Sequence, residues 1–237
     1  MTAKICFFDI ETSNLNANYG YMLCGAWKVL GEKKVNIARI SDSPSFEKDR
    51  TNDKFLANEL RKALSEMDVL VGWYSSKFDL PYINSRLLYH KLPVIAPNTP
   101  HIDCWRLARY KMRLNSNRLQ SVTEFLGEKD KTPLNGPIWI KAMAGDKKSL
   151  SYVVEHCKVD VEVLERAYMR MRPLMTDHPN VNIVSGKTDS CPVCGVAELQ
   201  SRGYTIARVN RTPRFQCQGC GAWSRGRTER IKQIQIR

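Results

Sequence analysis

The sequence predicts a mixed α/β layer fold around one sheet over residues 1–175, followed through a linker at 176–188 by a small basic metal module at 189–237. Three observations carry this. Short apolar runs rich in β-branched and aromatic residues come first and helical periodicity mostly follows, which places a sheet and helices in one layered core. Four of the eight cysteines form two C-x-x-C pairs near the C-terminus. Between these regions, RPLMTDHPNVNIVSGKTDS has two prolines, one glycine and little periodicity, which suits a connection.

Taken in order, AKICFFDIE and YMLCGAWKVL are apolar runs and KVNIARI alternates, so the chain opens with three strands in an antiparallel meander. KFLANELRKALSEM sets Phe55, Leu56, Leu60, Ala63, Leu64 and Met67 at helical spacing, and DVLVGW after it reads as a buried strand. A helix between two strands lets the second lie parallel to the first. DLPYINSRLLYHKL is a helix with Pro81 in its first turn, and a loop with three prolines leads to a helix at CWRLARYKM. Residues 117–126 and 149–172 are also helical, the latter long and amphipathic.

Of the 237 residues, 43% are hydrophobic and 26% charged, with five Trp, nine Tyr and seven Phe, which excludes wholesale disorder. No run of about 18 apolar residues exists, and Asp9 and Glu11 interrupt the stretch a signal peptide would need, so a soluble, cytoplasmic protein without a membrane partner is expected. Lys and Arg outnumber Asp and Glu by 37 to 24, a net charge of +13 that favours a polyanionic partner through counterion release. The excess is densest in residues 181–237, with ten Lys and Arg against three Asp and Glu.

The acidic residues locate a candidate site. In FFDIET, Asp9 and Glu11 stand two apart on a strand, so the pleat points both carboxylates to one face, where they can share divalent metals such as Mg²⁺ or Mn²⁺. Asp79 sits at a strand-to-helix junction, where it either caps the helix or turns toward a metal. Asp160 lies in the long helix with His156 four residues earlier on the same face, a surface pair or part of a site.

Together FDIET, FDLPYINSR and H-x-x-x-D-V-x-x-L resemble, in order and spacing, the three exonuclease motifs of the DEDD superfamily, whose fold is ribonuclease H-like. The resemblance runs from residue 4 to about 172 and is similar to the proofreading domains of family B DNA polymerases. It implies that Asp9, Glu11, Asp79 and Asp160 bind two Mg²⁺ or Mn²⁺ ions and that the enzyme hydrolyses phosphodiester bonds from the 3′ end of single-stranded or frayed DNA. An RNA 3′-end exonuclease, a structure-specific endonuclease and a nucleic-acid-binding adaptor remain as alternatives. A proofreading role would need a replication or recombination protein as partner. The third motif departs from the pattern: the polymerase-like subclass has Tyr four residues before the last Asp and the histidine subclass has His five before, whereas here His156 stands at minus four and Tyr152 at minus eight. His156 is therefore the candidate that orients or deprotonates the attacking water. Tyr74 replaces an Asn common five residues before the second-motif acid; it either stacks on a base or packs. Asp103 reads as a helix N-cap, and Lys129 and Lys131 as possible phosphate contacts or a solvated loop.

The C-terminal pattern is Cys191-Pro-Val-Cys194-Gly followed by Cys217-Gln-Gly-Cys220-Gly, which suits one structural Zn²⁺ held by four thiolates and resembles a zinc ribbon. A disulfide framework is disfavoured by four other, singly scattered cysteines. Arg208, Arg211, Arg214, Arg225 and Arg227, with Arg202, Arg230 and Lys232, interleave with Tyr204, Phe215 and Trp223, the chemistry of phosphate contact with base stacking on a single strand. Phe215 and Trp223 are expected to cover the zinc site, and an acidic protein is the competing partner for the arginines. His90, His101 and His178 read as surface or cap residues.

Overall fold

Ile5, Cys6, Phe7 and Phe8 are successive buried residues, so β1 (Ile5–Thr12) is covered on both faces where it begins. The computed structural model describes residues 2–128 and 136–230; Lys129, Lys131 and Lys232 lie outside the described residues. β2 (Met22–Val29) runs antiparallel to β1, and β3 (Asn36–Arg39) antiparallel to β2, which is the expected meander. α1 (Lys54–Ser65) then crosses the sheet, burying Leu56, Ala57, Leu60 and Leu64, and β4 (Val69–Gly72) pairs parallel to β1. Each such leucine removed from water contributes about 1.5–3 kcal/mol, which fixes the helix over the sheet.

α2 (Asp79–Tyr89) leads to β5 (His101–Asp103), which adds parallel to β4. The mixed sheet has the order β3-β2-β1-β4-β5, with β1 at its centre. β5 falls in a stretch the sequence reads as proline loop: three residues after Pro100 are too few to show alternation, and they become a strand because β4 offers them an unpaired edge. α3 (Cys104–Lys111), α4 (Leu119–Phe125), α5 (Gly136–Met143) and α6 (Lys147–Met171) follow. α5 is likewise unannounced by the sequence reading, although Ile138, Trp139, Ala142 and Met143 stand at helical spacing. α6 buries Val153, Cys157, Val161, Leu164 and Tyr168, a stripe at three- and four-residue spacing; Tyr168 meets Phe7 edge-on at 5.2 Å. None of the helices among the described residues is long and apolar enough to cross a membrane.

The chain divides into two compact units, Lys4–Tyr168 and Met169–Arg237 with Met1–Ala3. Within the second, the stretch expected to be a bare linker contains α7 (Asn182–Ser185), and Asn182 is buried. Its Nδ2 donates to the Ser190 carbonyl and its Oδ1 accepts from Ser190 Oγ, each at 2.8 Å, while the Val181 N–H donates to the Pro192 carbonyl at 2.9 Å. These bonds fold the segment onto the first cysteine pair. β6 (Leu199–Ile206), β7 (Asn210–Cys217) and β8 (Trp223–Arg225) form an antiparallel sheet, with β9 (Glu229–Arg230) also paired to β7.

Candidate active site

Phe7, Asp9 and Glu11 share one face of β1, and Phe7 packs against Tyr168 of α6, so the two carboxylates look toward that helix. α6 answers with His156 and Asp160, one turn apart: His156 Nε2 lies 3.7 Å from Asp160 Oδ2 and 3.9 Å from Glu11 Oε1. Candidate ligand atoms of Glu11, His156 and Asp160 all fall within 4.8 Å of one another. Below them, Cys157 Sγ donates to the Asp9 carbonyl at 3.5 Å, joining the strand to the helix directly under the acids.

Asp79 does not cap α2. It is the first residue of the helix, the position before it is Phe78, and its carboxylate accepts the Ile10 N–H of β1 at 3.3 Å. The side chain is nearly fully buried and thereby held against the strand that carries Asp9 and Glu11. The loop that delivers it is braced by Asp103, which accepts from the N–H groups of Tyr74 (2.9 Å) and Ser76 (3.1 Å), from Ser76 Oγ, and from Trp105 N–H (3.1 Å) as the N-cap of α3. Gly72 is required at the end of β4, because a Cβ there would stand 2.2 Å from Ser75 Oγ. Tyr74 has φ of 62°, a backbone state that Asn tolerates better than Tyr. Its ring is half-exposed and lies edge-on to Trp105 at 4.9 Å.

The clustered acids repel one another's charge. Burial and then the charges of Asp79, Glu11 and Asp160 hold Asp9 well above the usual carboxylate range. Glu11 is raised by burial, then by Cys24, Asp160 and Asp79. For Asp79, burial outweighs its backbone N–H partners and pushes it up to about 7. Hard oxygen donors that resist ionising together fit a divalent cation, whose charge removes the repulsion.

This has a measurable consequence. Without metal, the folded protein holds a proton on Asp79 that the unfolded chain releases near pH 4, so the contribution of this group to stability falls as pH rises from about 4 to about 7, by a few kcal/mol at most, and the raised Asp9 and Glu11 act in the same direction. Mg²⁺ or Mn²⁺ should therefore raise Tm more at pH 8 than at pH 5 in otherwise metal-free buffer. A Tm gain equal at both pH values would contradict this electrostatic account.

Beside the acids lies a cleft of about 380 Å³ lined by Glu11, Thr12, Asn14, Leu15, Phe78 and Trp139. A second, of about 620 Å³, shares Leu15 and Phe78 and continues past Tyr82 to Tyr89. Trp139 meets His156 edge-on at 5.4 Å. Trp139, Leu15 and Phe78 escaped the sequence reading; only the apolar spacing of GPIWIKAM pointed to the first. The 13–21 loop bearing Leu15 is tied down by Arg86, whose Nη1 donates to the Ala17 carbonyl at 3.1 Å. Fully buried Asp53 receives Arg86 Nε at 2.9 Å and Nη2 at 2.8 Å, contacts His90 Nε2 at 2.7 Å, and accepts the Met22 N–H at 2.9 Å. His90 is thus the C-cap of α2 and a partner of a buried acid; His101 instead bonds Ser75 Oγ at 2.9 Å rather than lying free on the surface.

In the second unit, Cys191, Cys194, Cys217 and Cys220 converge, with sulfurs 3.7 Å apart for Cys191–Cys220 and 3.6 Å for Cys194–Cys217. A tetrahedral ion with Zn–S bonds of about 2.3 Å spaces its sulfurs about 3.8 Å apart, so the four thiols fit a closed zinc site, and no disulfide joins them. Gly195 and Gly221 follow the two pairs with φ of 75° and 74°, and their N–H groups close turns onto the carbonyls of Cys191 and Cys217. Burial opposes ionisation of Cys217, yet the backbone N–H groups of Cys220 and Gly219 pull it below the usual thiol value. The apolar cover here is Val193, Ala222 and Leu199 around the cysteines; Trp223 is exposed and Phe215 lies partly buried outside that cluster. Arg208, Arg211, Arg214, Arg225 and Arg227 are all exposed.

A five-stranded mixed sheet of this strand order, with an acidic cluster beside its central strand, is the architecture of a ribonuclease H-like fold. Residues 6–172 match the model of the ribonuclease H superfamily, and the chain belongs to that superfamily. Among solved structures it is similar to the family B DNA polymerase from the hyperthermophilic archaeon Pyrobaculum calidifontis, with a TM-score of 0.58 and 13% identity over 88% of this chain. The match spans 32% of the polymerase. No curated protein matches the sequence.

Proposed function

We propose that the chain is a divalent-metal-dependent 3′ to 5′ exonuclease that degrades single-stranded or frayed DNA. The observation that carries this is that candidate ligand atoms of Glu11 from β1 and of His156 and Asp160 from α6 lie within 4.8 Å of one another beside an open cleft, with Asp9 on the same face of β1 as Glu11 and Asp79 of α2 bonded to the Ile10 N–H of that strand. Asp9, Glu11, Asp79 and Asp160 would hold two Mg²⁺ or Mn²⁺ ions, which when bound supply Lewis acidity to the attacking water and to the leaving 3′ oxygen. His156 Nε2 lies 3.9 Å from Glu11 Oε1 and 3.7 Å from Asp160 Oδ2, with its ring perpendicular to Trp139, a geometry that supports a role in orienting a water or accepting its proton. Leu15 and Phe78 bound both clefts and offer apolar surface to a nucleobase. One structural Zn²⁺ in the four-cysteine site would order the basic module, which supplies positive charge for the polyanion. The fold shared with a DNA polymerase supports DNA over RNA as substrate.

The test follows 5′-labelled single-stranded DNA and RNA of equal sequence over time with Mg²⁺ and with Mn²⁺. A metal-dependent ladder shortening from the 3′ end, faster on DNA, is expected. Faster shortening of RNA would make the chain an RNA 3′-end exonuclease. One defined internal cut would make it an endonuclease, and tight binding with no cleavage an adaptor.

A further inference from the structure

The register of the small sheet sorts its arginines onto two faces with different electrostatics. On β7, Arg211 stands opposite Glu229 of β9, contacts its carboxylate through Nε at 2.8 Å, and covers the Tyr204 ring at 4.8 Å. That arginine already has a carboxylate partner. Residues of opposite parity on β7 point to the other face. There Arg214 stands directly opposite Arg225, and Gln216 opposite Trp223. Arg202 joins them: its Nε donates to Gln216 Oε1 at 3.2 Å, and its carbonyl accepts from Arg214 Nη2 at 3.1 Å.

Arg202, Arg214 and Arg225 have no carboxylate partner among the described residues. Like charges directly opposed across a strand pair destabilise a sheet, so this arrangement gains from a polyanion laid over it. Trp223, expected from the sequence to cover the metal, is 43% exposed instead. The Arg214 guanidinium lies 5.8 Å from its ring centroid, which holds the indole at the edge of the basic patch.

We propose that this face, and not the Arg211–Tyr204 face, binds single-stranded nucleic acid, with Arg202, Arg214 and Arg225 on successive phosphates and an unpaired base stacked on Trp223. This rests on the nucleic-acid reading of the module but does not require hydrolysis. A single strand uses both parts of the patch, since it offers phosphates together with exposed ring faces. An acidic peptide would engage the arginines and leave the indole without a partner.

The test measures binding of a fluorescein-labelled single-stranded oligonucleotide to the full chain by anisotropy across a salt series, in an Asp9→Asn background so that the strand persists. Paired Arg214→Gln and Arg225→Gln substitutions should reduce the slope of log affinity against log salt by about 1.4, the loss expected for two phosphates on a single strand. Trp223→Ala should weaken binding about tenfold and Trp223→Phe should restore most of it. Arg211→Gln should stay within about twofold of the parent. Metal content per chain, unchanged across the set, shows that the module remains folded. Parental affinity and slope in both the paired-arginine and Trp223→Ala chains would overturn the proposal. So would competition by polyglutamate as strong as by unlabelled single strand, which would favour an acidic protein partner. Cleavage is read separately in the chain that keeps Asp9: if that chain cleaves nothing while the Asp9→Asn set binds as expected, this face stands and the exonuclease reading falls; if it cleaves while binding in the Asp9→Asn set ignores these substitutions, the reverse holds.

Discussion

Asp9→Asn is expected to lower hydrolysis of a single-stranded substrate by about a thousandfold or more, equivalent to about 4 kcal/mol of transition-state stabilisation. Asp9 sits at the centre of the acidic cluster, where the charges of Asp79, Glu11 and Asp160 all bear on it. The amide keeps the shape of the carboxylate but removes the charge that would hold a cation. The same change relieves repulsion, so the metal-free variant should melt higher than the parent at pH 8 even as activity disappears. Loss of activity with a raised Tm separates a site residue from a structural one; a lowered Tm, or activity within tenfold of the parent, would contradict the placement of Asp9 in the site. His156→Gln should cost less, about a hundredfold, and should change the pH dependence of the rate if His156 accepts the proton. An unaltered pH profile with a lowered rate would make it a positioning residue.

Cys217→Ser is expected to abolish metal binding by the C-terminal module and to unfold β6 to β9. The buried cluster there consists of Cys191, Val193, Cys217 and Ala222 with a few partly covered neighbours, far too little apolar surface to offset the conformational entropy of the strands around it. For sites of this kind metal binding contributes about 10–16 kcal/mol to folding, so losing one thiolate removes most of what holds the hairpins. The expected readings are a fall from one zinc per chain to none by elemental analysis and loss of hydrogen-exchange protection from Leu199 to Arg230. Protection within Lys4–Tyr168 should persist, because that unit has its own core of Phe7, Phe8, Leu60, Ile83 and Tyr168. Hairpins that stay protected without metal would show that strand pairing alone suffices.

How much could be read beforehand differs by element and follows from length and periodicity. β1, β2, α1 and α6 repeat their apolar residues often enough to declare period and buried face. β5 has only three residues and α5 lies between loops, so neither carries a local pattern strong enough to stand alone. Asp79 is ambiguous for a different reason: an acid at a helix start serves equally as a cap or a ligand, and only its contact with the Ile10 N–H across 69 positions rules out the cap. Asp103 is legible as the N-cap of α3, but its bonds to the Tyr74 and Ser76 N–H groups are not, and the apolar spacing around Trp139 says nothing of its contact with His156, because both contacts join segments far apart in the chain.

The sequence by itself determined the kinds of chemistry present: carboxylates two apart on a strand, an acid and a histidine one helical turn apart, and two cysteine pairs with glycine behind each. Those are local facts, since backbone geometry alone sets which neighbours share a face. Only the tertiary structure decided that the acids of β1, α2 and α6 meet beside one cleft, that Trp223 faces solvent, and that Arg211 is paired while Arg214 opposes Arg225. Such meetings depend on strand order and register between segments far apart in the chain, and a shift of one residue in pairing would send the strand side chains among them to the opposite face.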